Sequence, residues 1–326
     1  MRHWLERVWY GEARGAAWLW PLAGLFDLVV RARLFAYRAG LLPSGHPGRP
    51  VVVIGNLTVG GSGKTPLTAW LAAALTARGL KVGIASRGHG GRARGPVEVT
   101  AASDPRLVGD EPVLLARRSG ARVVVARDRL AAARRLAPEV DLILADDGLQ
   151  HYALRRDLEI LVIDGRRRFG NGRLLPAGPL REPVARAGTV DLVVVNGGAA
   201  RAGECTMTLV PGAVVALGSG ARSALDDWRG RRVHAVAGIG DPARFFATLR
   251  AAGVEPIEHP LPDHAAIGAR ELAFGDGLPV LMTEKDAVKC GSLPPTGLAY
   301  LEVTARLGER DRAEILTRVL ALVGRA

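Results

Sequence analysis

The stretch VVVIGNLTVGGSGKTP, residues 51–66, decides the fold. Its first four residues are β-branched and apolar, which predicts a buried strand, and its glycines suit a loop whose backbone N–H groups converge on phosphate oxygens. Lys64 can reach the β- and γ-phosphates of a nucleotide, and the Thr65 hydroxyl is placed to bind magnesium. The residues of this phosphate loop are Thr58, Val59, Gly60, Gly61, Ser62, Gly63, Lys64 and Thr65.

The residues around the phosphate loop support this prediction, although Thr58 stands where the usual pattern has glycine. Pro66 suits a first helical turn and Gly79 suits a helix end. An apolar helical face follows the loop, formed by Leu67, Trp70, Leu71, Ala74 and Leu75. Strand, loop and helix therefore occur in the order that nucleotide binding requires.

The composition indicates a globular chain, because 326 residues with 48% hydrophobic content suffice for one large core or two smaller ones. Cys205 and Cys290 lack metal-ligand spacing, and no secretory leader is recognised, so we expect a reducing compartment and no disulfide. The net charge of +12 suits nucleic acid, an anionic membrane or an anionic substrate alike.

Arginine supplies almost all of the positive charge. Only four of the 44 basic residues are lysine, namely Lys64, Lys81, Lys285 and Lys289. One of these lysines lies in the phosphate loop and two lie in a later motif. We expect these positions to need the compact ammonium group of lysine instead of the planar guanidinium group of arginine.

Residues 1–40 differ from the rest of the chain because they concentrate tryptophan beside arginine, a combination that suits a bilayer interface. These residues are Trp4, Trp9, Trp18, Trp20, Arg2, Arg7 and Arg14. The apolar run 16–26 is interrupted by Asp27 and is shorter than the roughly 20 residues that span a membrane. We expect this segment to lie on a membrane surface; the alternative is an amphipathic helix packed on the protein's own core.

Short apolar runs alternate with helix-like segments, which predicts an α/β fold with a mostly parallel sheet covered on both faces, like that of phosphate-loop NTPases. The runs are 51–54, 81–85, 123–126, 140–145, 158–163, 190–195, 232–237 and 279–282. The glycine-rich stretch 210–220 predicts a domain boundary. We therefore expect an interfacial segment (1–40), a nucleotide-binding domain (41–220) and a smaller C-terminal α/β lobe (221–326) that ends in a helix near 310–323.

Polar motifs follow several of these runs, where parallel sheets bind ligands. Asp146 and Asp147 end an apolar strand, as magnesium-binding carboxylates do, and their opposite directions favour direct metal contact by one of them. Residues 86–91 are compatible with a phosphate-binding loop or with a plain turn. Residues 109–112 are compatible with a catalytic site or with the start of a helix. The Asp263-His264 pair offers a histidine that can orient a carboxylate base.

Residues 283–286, TEKD, resemble the guanine-binding motif of GTPases, but the lysine falls one residue late, which argues against guanine specificity. A phosphate-loop GTPase or ATPase that couples hydrolysis to a partner is the alternative function. A nucleic-acid-binding module is disfavoured, because aromatic residues make up only 5% of the chain and most tryptophans lie at its start. The sequence carries no pattern that selects an oligomeric state.

Taken together and in order, these motifs resemble those of the tetraacyldisaccharide 4′-kinases of lipid A biosynthesis. The family's loop also has Thr-Val-Gly-Gly before its Gly-Lys-Thr, which accounts for Thr58, whereas His89 stands where the family usually has tyrosine. The matching segments are residues 58–65, 86–91, 109–112, 146–151, 168–172, 175–182, 263–264 and 283–286.

The resemblance implies a kinase on the cytoplasmic face of the bacterial inner membrane, which uses ATP and Mg²⁺ to phosphorylate the 4′-hydroxyl of an acylated glucosamine disaccharide 1-phosphate, forming lipid IVA. It implies Asp110 as the base, paired with His264, with Lys64 and Asp147 as further catalytic residues. The implied metal site comprises Thr65, Glu111, Asp146 and Asp147. The residues implied on the substrate side are Arg129, Arg181 and Glu182.

Overall fold

The computed structural model describes residues 2–11, 17–291, 293–294 and 296–324. Within these ranges, thirteen strands form a single sheet. The strands are β1 (Val51–Gly55), β2 (Val82–Ser86), β3 (Val97–Val99), β4 (Arg122–Val125), β5 (Leu142–Asp146), β6 (Leu158–Asp164), β7 (Leu192–Asn196), β8 (Cys205–Ala216), β9 (Arg222–Ser223), β10 (Arg232–Ala237), β11 (Glu255–Pro260), β12 (Val280–Thr283) and β13 (Leu298–Leu307).

Most helices lie between strands, as expected where parallel neighbours need crossovers, whereas the first two precede β1 and the last follows β13. They are α1 (Arg2–Tyr10), α2 (Trp20–Arg38), α3 (Lys64–Thr76), α4 (Pro105–Val108), α5 (Asp110–Ser119), α6 (Arg129–Leu136), α7 (Pro242–Ala251), α8 (Glu284–Ala287) and α9 (Glu309–Val323). The fold is therefore α/β, in agreement with the sequence prediction.

The sheet has the strand order β11-β10-β12-β13-β8-β7-β6-β1-β5-β2-β4-β3, with β9 added beside β8. The strands from β8 to β4 are parallel, and so are those from β11 to β13. The two sets meet at the antiparallel pair β8 and β13. The phosphate loop leaves β1 near the middle of the first set.

The long strand β8 determines where the two sets meet. Its first residues pair with the last residues of β7, whereas its end pairs with the beginning of β13. Strand β8 extends beyond the carboxyl ends of the other strands of the first set, and the second set is joined to this extension through β13. The strands of the second set run in the opposite direction, so the carboxyl ends of both sets face one another. Ligand sites lie at such ends in open α/β sheets, so one crevice collects residues from both halves.

Buried helices cover both faces of the sheet. On the first set, Leu67 and Leu71 of α3 pack with Ile315 of α9 on one face, and α6 covers the other. On the second set, α7 packs Phe246 and Leu249 onto one face. These apolar contacts, each removing side chains from water, hold the strand ends in fixed positions.

The N-terminal helices differ in how they are attached. α1 is tied to the body, because Trp9 Nε1 donates a hydrogen bond to the carbonyl of Pro176 at 2.9 Å. α2 exposes a row of apolar side chains, namely Trp20, Leu22, Leu25, Leu28, Val29 and Phe35. Within the described residues, no helix combines the length and apolar character needed to cross a bilayer. Arg14 and the first residue of the run 16–26 lie outside the described residues.

All eight predicted apolar runs contain strands, whereas β3, β8, β9, β11 and β13 were not predicted. Strand β8 occupies much of the stretch 210–220, although it contains Pro211 and Gly212, residues that usually argue against a strand. The register shifts opposite Pro211, between Leu301 and Val303 of β13. The first part of the stretch is therefore sheet, and a domain limit at residue 220 stays a prediction.

Candidate active site

The phosphate loop lies between β1 and α3. Gly60 and Gly63 adopt φ angles of 107° and 95°, which L side chains rarely reach, so glycine is required at both positions. A Cβ on Gly60 or Gly61 would meet no atom within 4 Å, so the loop surface is open. The helix starts at Lys64, and its free N–H groups face this surface, as in other sites that bind phosphate.

Side chains from neighbouring segments hold the loop from behind. Asn196, at the end of β7, donates from Nδ2 to the carbonyl of Ser62 at 3.1 Å. The amide of Val59 donates to the carbonyl of Pro179 at 2.9 Å, and the Tyr10 hydroxyl lies 3.4 Å from the carbonyl of Val59. The loop thus has an open front and a fixed back.

Asp146 lies at the end of β5 and is almost completely buried. Its Oδ1 accepts a hydrogen bond from the Thr68 hydroxyl at 3.0 Å. Burial, followed by the negative charges of Glu111 and Asp147, raises the pKa of Asp146 to about 7. Burial and the neighbouring carboxylates therefore both disfavour the charged form of Asp146.

Asp147 follows Asp146 with a φ of 49°, which turns its side chain toward the phosphate loop. Its Oδ1 lies 3.6 Å from Lys64 Nζ and 3.2 Å from an Arg181 nitrogen. Burial alone would raise the pKa of Asp147, but the charges of Lys64, Arg181 and Arg129 outweigh it, and the pKa falls well below its usual range. Asp147 is therefore an anion beside the loop lysine.

The residues expected on the substrate side occupy two positions. Arg181 contacts Asp147, and the buried Arg129 donates to the Asp147 carbonyl at 2.5 Å. Glu182 is buried behind them, where its carboxylate accepts hydrogen bonds from Gln150 and Tyr152. The structure thus brings both arginines to the Asp147 side chain or backbone and places Glu182 within the wall of the site.

Asp110 and His264 meet although 154 residues separate them, because α5 of one half faces the segment after β11 of the other. His264 Nδ1 lies 3.1 Å from Asp110 Oδ2, and this hydrogen bond raises the pKa of His264. Burial opposes ionisation of Asp110, but His264 and the charges of Lys285 and Lys289 lower its pKa overall. Asp110 is consequently ionised in the range where a carboxylate base works.

Glu111 connects the two carboxylate groups. Its Oε1 accepts a hydrogen bond from Lys285 Nζ at 3.0 Å, and its charge contributes to the raised pKa of Asp146. Asp263 lies 3.4 Å from the same ammonium. A network of charges therefore runs from Lys64 through the Asp146-Asp147 pair to Asp110.

A cavity of about 420 Å³ opens between the carboxylate pair and helix α2. Its lining is strongly basic and includes Arg33, Arg87, Arg127, Arg129, Arg181 and His89. The His89 ring lies 5.1 Å from that of His264, so the cavity adjoins the Asp110 pair. Such a charge pattern favours an anionic ligand with polar groups.

Several supporting residues were not predicted from the sequence. Asn196 and Thr68 hold the loop and Asp146, and Lys285 joins Glu111 to His264. Signals for two of them existed: Asn196 ends an apolar strand, as Asp146 does, and Lys285 is one of four lysines in the chain. Gly240, whose added Cβ would approach the Gly61 nitrogen to 3.2 Å, gave no such signal.

A parallel α/β sheet with a phosphate loop at its centre and carboxylates at the adjoining strand end defines a phosphate-loop phosphotransferase. The model of the family described as Tetraacyldisaccharide-1-P 4′-kinase matches residues 15–321. The chain belongs to this family.

Individual relatives agree over nearly the whole length. The Tetraacyldisaccharide 4′-kinase of Alkalilimnicola ehrlichii is 50% identical and aligns over 99% of this chain and 98% of its own. The protein of the same name from Nitrosococcus oceani is 49% identical over 95% of this chain and 93% of its own. Among solved structures, "apo" form LpxK from Aquifex aeolicus in complex with ATP is 28% identical, with a TM-score of 0.78 over 94% of this chain and 98% of that one.

Proposed function

We propose that this protein transfers the γ-phosphoryl group of ATP to the 4′-hydroxyl of a tetraacyl glucosamine disaccharide 1-phosphate, forming lipid IVA in lipid A biosynthesis. Family membership and the names of the relatives support the reaction class. The observation that carries the proposal is the single crevice in which Lys64 and Asp147 adjoin the phosphate loop while Asp110 and His264 lie opposite.

ATP is the proposed donor. The Aquifex aeolicus relative is described in complex with ATP, and the phosphate loop here offers an open backbone surface with Lys64 beside it. Among the described residues, Ser62 Oγ and Asn196 Oδ1 are buried near this loop without a hydrogen-bond partner. Such unpaired groups are tolerated where a ligand or ordered water completes the site.

Magnesium is the proposed cofactor, and the residues that would hold it are Thr65, Asp146, Asp147 and Glu111. Within the described part of the chain, no group of three or more His, Cys, Asp or Glu side chains is arranged to hold a metal by itself. Magnesium commonly uses one or two carboxylates together with substrate phosphates, and the proposal is supported by the negative charges of Glu111 and Asp147 close to the buried Asp146. Bound magnesium would neutralise the charge that develops on the transferring phosphate.

Asp110 is the proposed base for the acceptor hydroxyl. Its Oδ2 is held by His264, whereas its Oδ1 accepts the amide hydrogen of Glu111 at 3.0 Å and keeps a lone pair for the hydroxyl proton. Lys64 would stabilise the negative charge on the transferring phosphoryl group. Because phosphoryl transfer depends mainly on position and charge, these fixed groups provide the chemistry that the protein must supply.

The basic cavity is the proposed binding site of the sugar phosphate head group. Arg129 and Arg181 would meet phosphate charge, and Glu182 would fix the wall behind them through Gln150 and Tyr152. Since Arg33 of α2 lines the same cavity, the acceptor would enter beside the exposed apolar row of this helix. That row would insert into the cytoplasmic surface of the inner membrane, with arginines attracted to anionic head groups.

The decisive experiment is incubation of the purified protein with magnesium ATP and the lipid disaccharide 1-phosphate. We expect acceptor-dependent ADP release together with a bisphosphorylated lipid, identified by mass spectrometry. Hydrolysis of nucleotide at the same rate without the acceptor would favour the coupling GTPase or ATPase instead.

The membrane proposal is tested with Leu25→Ser and Leu28→Ser together, because both side chains are mostly exposed and leave the contacts of α1 intact. We expect less protein to float with anionic vesicles, while turnover of a detergent-dispersed acceptor stays near the wild-type value. Leu107→Ser together with Val184→Ser, at exposed apolar residues far from α2 in the sequence, provides the control. Unchanged flotation of the α2 variant would contradict the proposal.

A further inference from the structure

The chain contains four lysines, and the phosphate loop uses one of them. Asp110, Glu111, Asp263 and His264, together with the lysines that contact them, form what we call the base cluster. Lys285 and Lys289 both lie after β12, and their Nζ atoms are 4.0 Å and 3.9 Å from Asp110 Oδ2. Lys289 is engaged mainly by Asp286, at 2.8 Å. Lys285 instead extends across the crevice to α5, and the reaction described above gives it no role.

Three acceptors surround the Lys285 ammonium. Its Nζ lies 3.0 Å from Glu111 Oε1, 3.4 Å from Asp263 Oδ1 and 3.3 Å from His264 Nε2. An ammonium has three N–H donors and no acceptor, so each hydrogen has one partner. The side chain is only 16% exposed, which leaves little room for water to replace one of these partners.

The contact with His264 has a direction because Lys285 can only donate. His264 Nε2 must therefore accept, and in a neutral imidazole the other nitrogen then carries the proton. That nitrogen is Nδ1, which lies 3.1 Å from Asp110 Oδ2. The three residues form a chain in which each hydrogen bond fixes the direction of the next.

We propose that Lys285 is a positioning residue that keeps His264 Nε2 free of a proton, so that the neutral ring offers Asp110 its Nδ1–H and holds the carboxylate toward the acceptor hydroxyl. Lys285 acts through His264 and touches neither substrate nor nucleotide in this role. The inference rests on the proposed function, because it assigns Asp110 as the base.

The chemistry of the side chain explains why lysine stands here in a chain that otherwise uses arginine. The hydrogens of an ammonium point to three corners of a tetrahedron, whereas a guanidinium directs its hydrogens within one plane. The acceptors lie on different sides of a single nitrogen, with Glu111 contributed by α5 and the other two by the adjacent residues Asp263 and His264. Arginine would be too long and too flat to meet all three.

The first test is the tautomer of His264 in the wild-type protein, measured by ¹⁵N NMR of protein labelled at its seven histidines, with His264→Gln to assign the signal. The measurement uses the full chain without nucleotide or lipid, at a pH where the ring is neutral. We expect the proton on Nδ1. A ring protonated at Nε2, alone or together with Nδ1, overturns the proposal even if every Lys285 variant fails to fold.

The second test compares Lys285→Met with Lys81→Met, a control at the exposed lysine that precedes β2. We expect Lys285→Met to let Nε2 take a proton in addition to that on Nδ1, so that the doubly protonated ring persists to higher pH than in the wild type, and to lower kcat about 10-fold or more, with KM for ATP changed less than about threefold. Lys285→Arg should remain close to Lys285→Met. A His264 spectrum like that of the wild type in Lys285→Met would contradict the proposal.

A chemical rescue separates positioning from general stability. Lys285→Cys treated with 2-bromoethylamine regains an ammonium of nearly the original length, while the native Cys205 and Cys290 are buried. We expect the unprotonated Nε2 signal of the wild type and kcat to recover together, and wild type treated in the same way to stay unchanged. Recovery of neither in a folded, fully modified variant would reject the role, whereas failure of wild-type kinase activity would reject the proposed function and leave the tautomer result intact.

Discussion

The phosphate loop and the base cluster of the same crevice are built in opposite ways. The loop is one continuous segment whose proposed ligand-binding groups are mostly backbone amides, arranged by glycines and a helix start. The base cluster is made of side chains from three distant segments, around residues 110–111, 263–264 and 285–289. Backbone sites can be recognised in a short stretch of sequence, whereas side-chain sites exist only once the two halves of the sheet face each other.

Because the two regions are built differently, we expect mutations in them to have different effects on turnover and on nucleotide binding. A substitution in the base cluster removes a proposed reacting group but leaves the loop amides in place, so turnover should fall while nucleotide binding persists. Changes at the loop should affect both. The following variants test this division, from the largest expected effect to the smallest.

Asp110→Asn keeps the size of the side chain and removes its basicity. We expect kcat to fall by about 10²–10⁴, the usual contribution of a general base, while the ATP dissociation constant changes less than about threefold. Acceptor-dependent kinetics and nucleotide titration measure the two quantities. Asp104→Asn, at the exposed start of α4, is the control and should behave as wild type. Equal losses of binding and turnover in Asp110→Asn would break the division between the two regions.

Lys64→Met removes the ammonium beside Asp147 and leaves the backbone loop intact. We expect kcat to fall about 10²–10³-fold, comparable with loss of one preorganised charge donor, and ATP affinity to fall as well. Steady-state kinetics at varied ATP would show both. If only kcat changed, as expected for Asp110→Asn, the loop and the base cluster would not differ in the way described.

Asn196→Ala tests the back of the phosphate loop. The variant leaves the Ser62 carbonyl without its 3.1 Å partner, at a cost of about 1–3 kcal/mol in the free energy of unfolding. We expect KM for ATP to rise more than kcat falls, because the amide groups lose their fixed arrangement. Urea unfolding and kinetics provide the two measurements, and an unaltered KM with lowered stability would limit Asn196 to a structural role.

Glu284→Gln tests a buried neighbour of Lys285 whose side chain faces Arg118 instead of the crevice. Burial, opposed by the charge of Arg118, raises the pKa of Glu284 to about 7 from a usual value of 4.5. Between these values the folded state keeps a proton that the unfolded chain has released, so the folded state loses stability as pH rises from about 4.5 to about 7. The amide cannot ionise and avoids this loss.

We therefore expect Tm of Glu284→Gln to exceed that of wild type by about 2 °C or more at pH 8, with little difference at pH 4. Thermal unfolding followed by circular dichroism at both values measures the effect. A stabilisation that is the same at both pH values would mean that side-chain packing, not ionisation, is responsible. Turnover should change little, because Glu284 does not face Asp110.

Much of the fold was predictable because the signals were local. The apolar runs ending at Ile54 and Ala145 gave two neighbouring strands, and the glycines between Val59 and Lys64 gave the loop. Family resemblance, which depends on the order of several motifs, supplied the roles of Asp110 and His264. Their 3.1 Å contact agrees with the implied pairing, while their roles in the reaction stay predictions.

The remaining features depend on tertiary contacts. Strand β8 was missed because Pro211 and Gly212 favour a turn locally, yet pairing with β7 and β13 outweighs that preference. In the sequence, the TEKD motif resembles a nucleotide-recognition motif, but in the structure its Lys285 contacts Glu111 of α5. This contact forms only because the two halves of the sheet face each other. No spacing within the sequence encodes such a distance.

The hydrogen bond between the Tyr10 hydroxyl and the Val59 carbonyl links helix α1 to the nucleotide loop. If adsorption onto a bilayer displaces α1, this hydrogen bond breaks, and its free energy then contributes both to membrane adsorption and to nucleotide binding. Thermodynamic reciprocity then requires ATP to alter vesicle partitioning by the same factor by which vesicles alter the ATP dissociation constant. Affinities determined in detergent and on vesicles would consequently describe two different states of the enzyme.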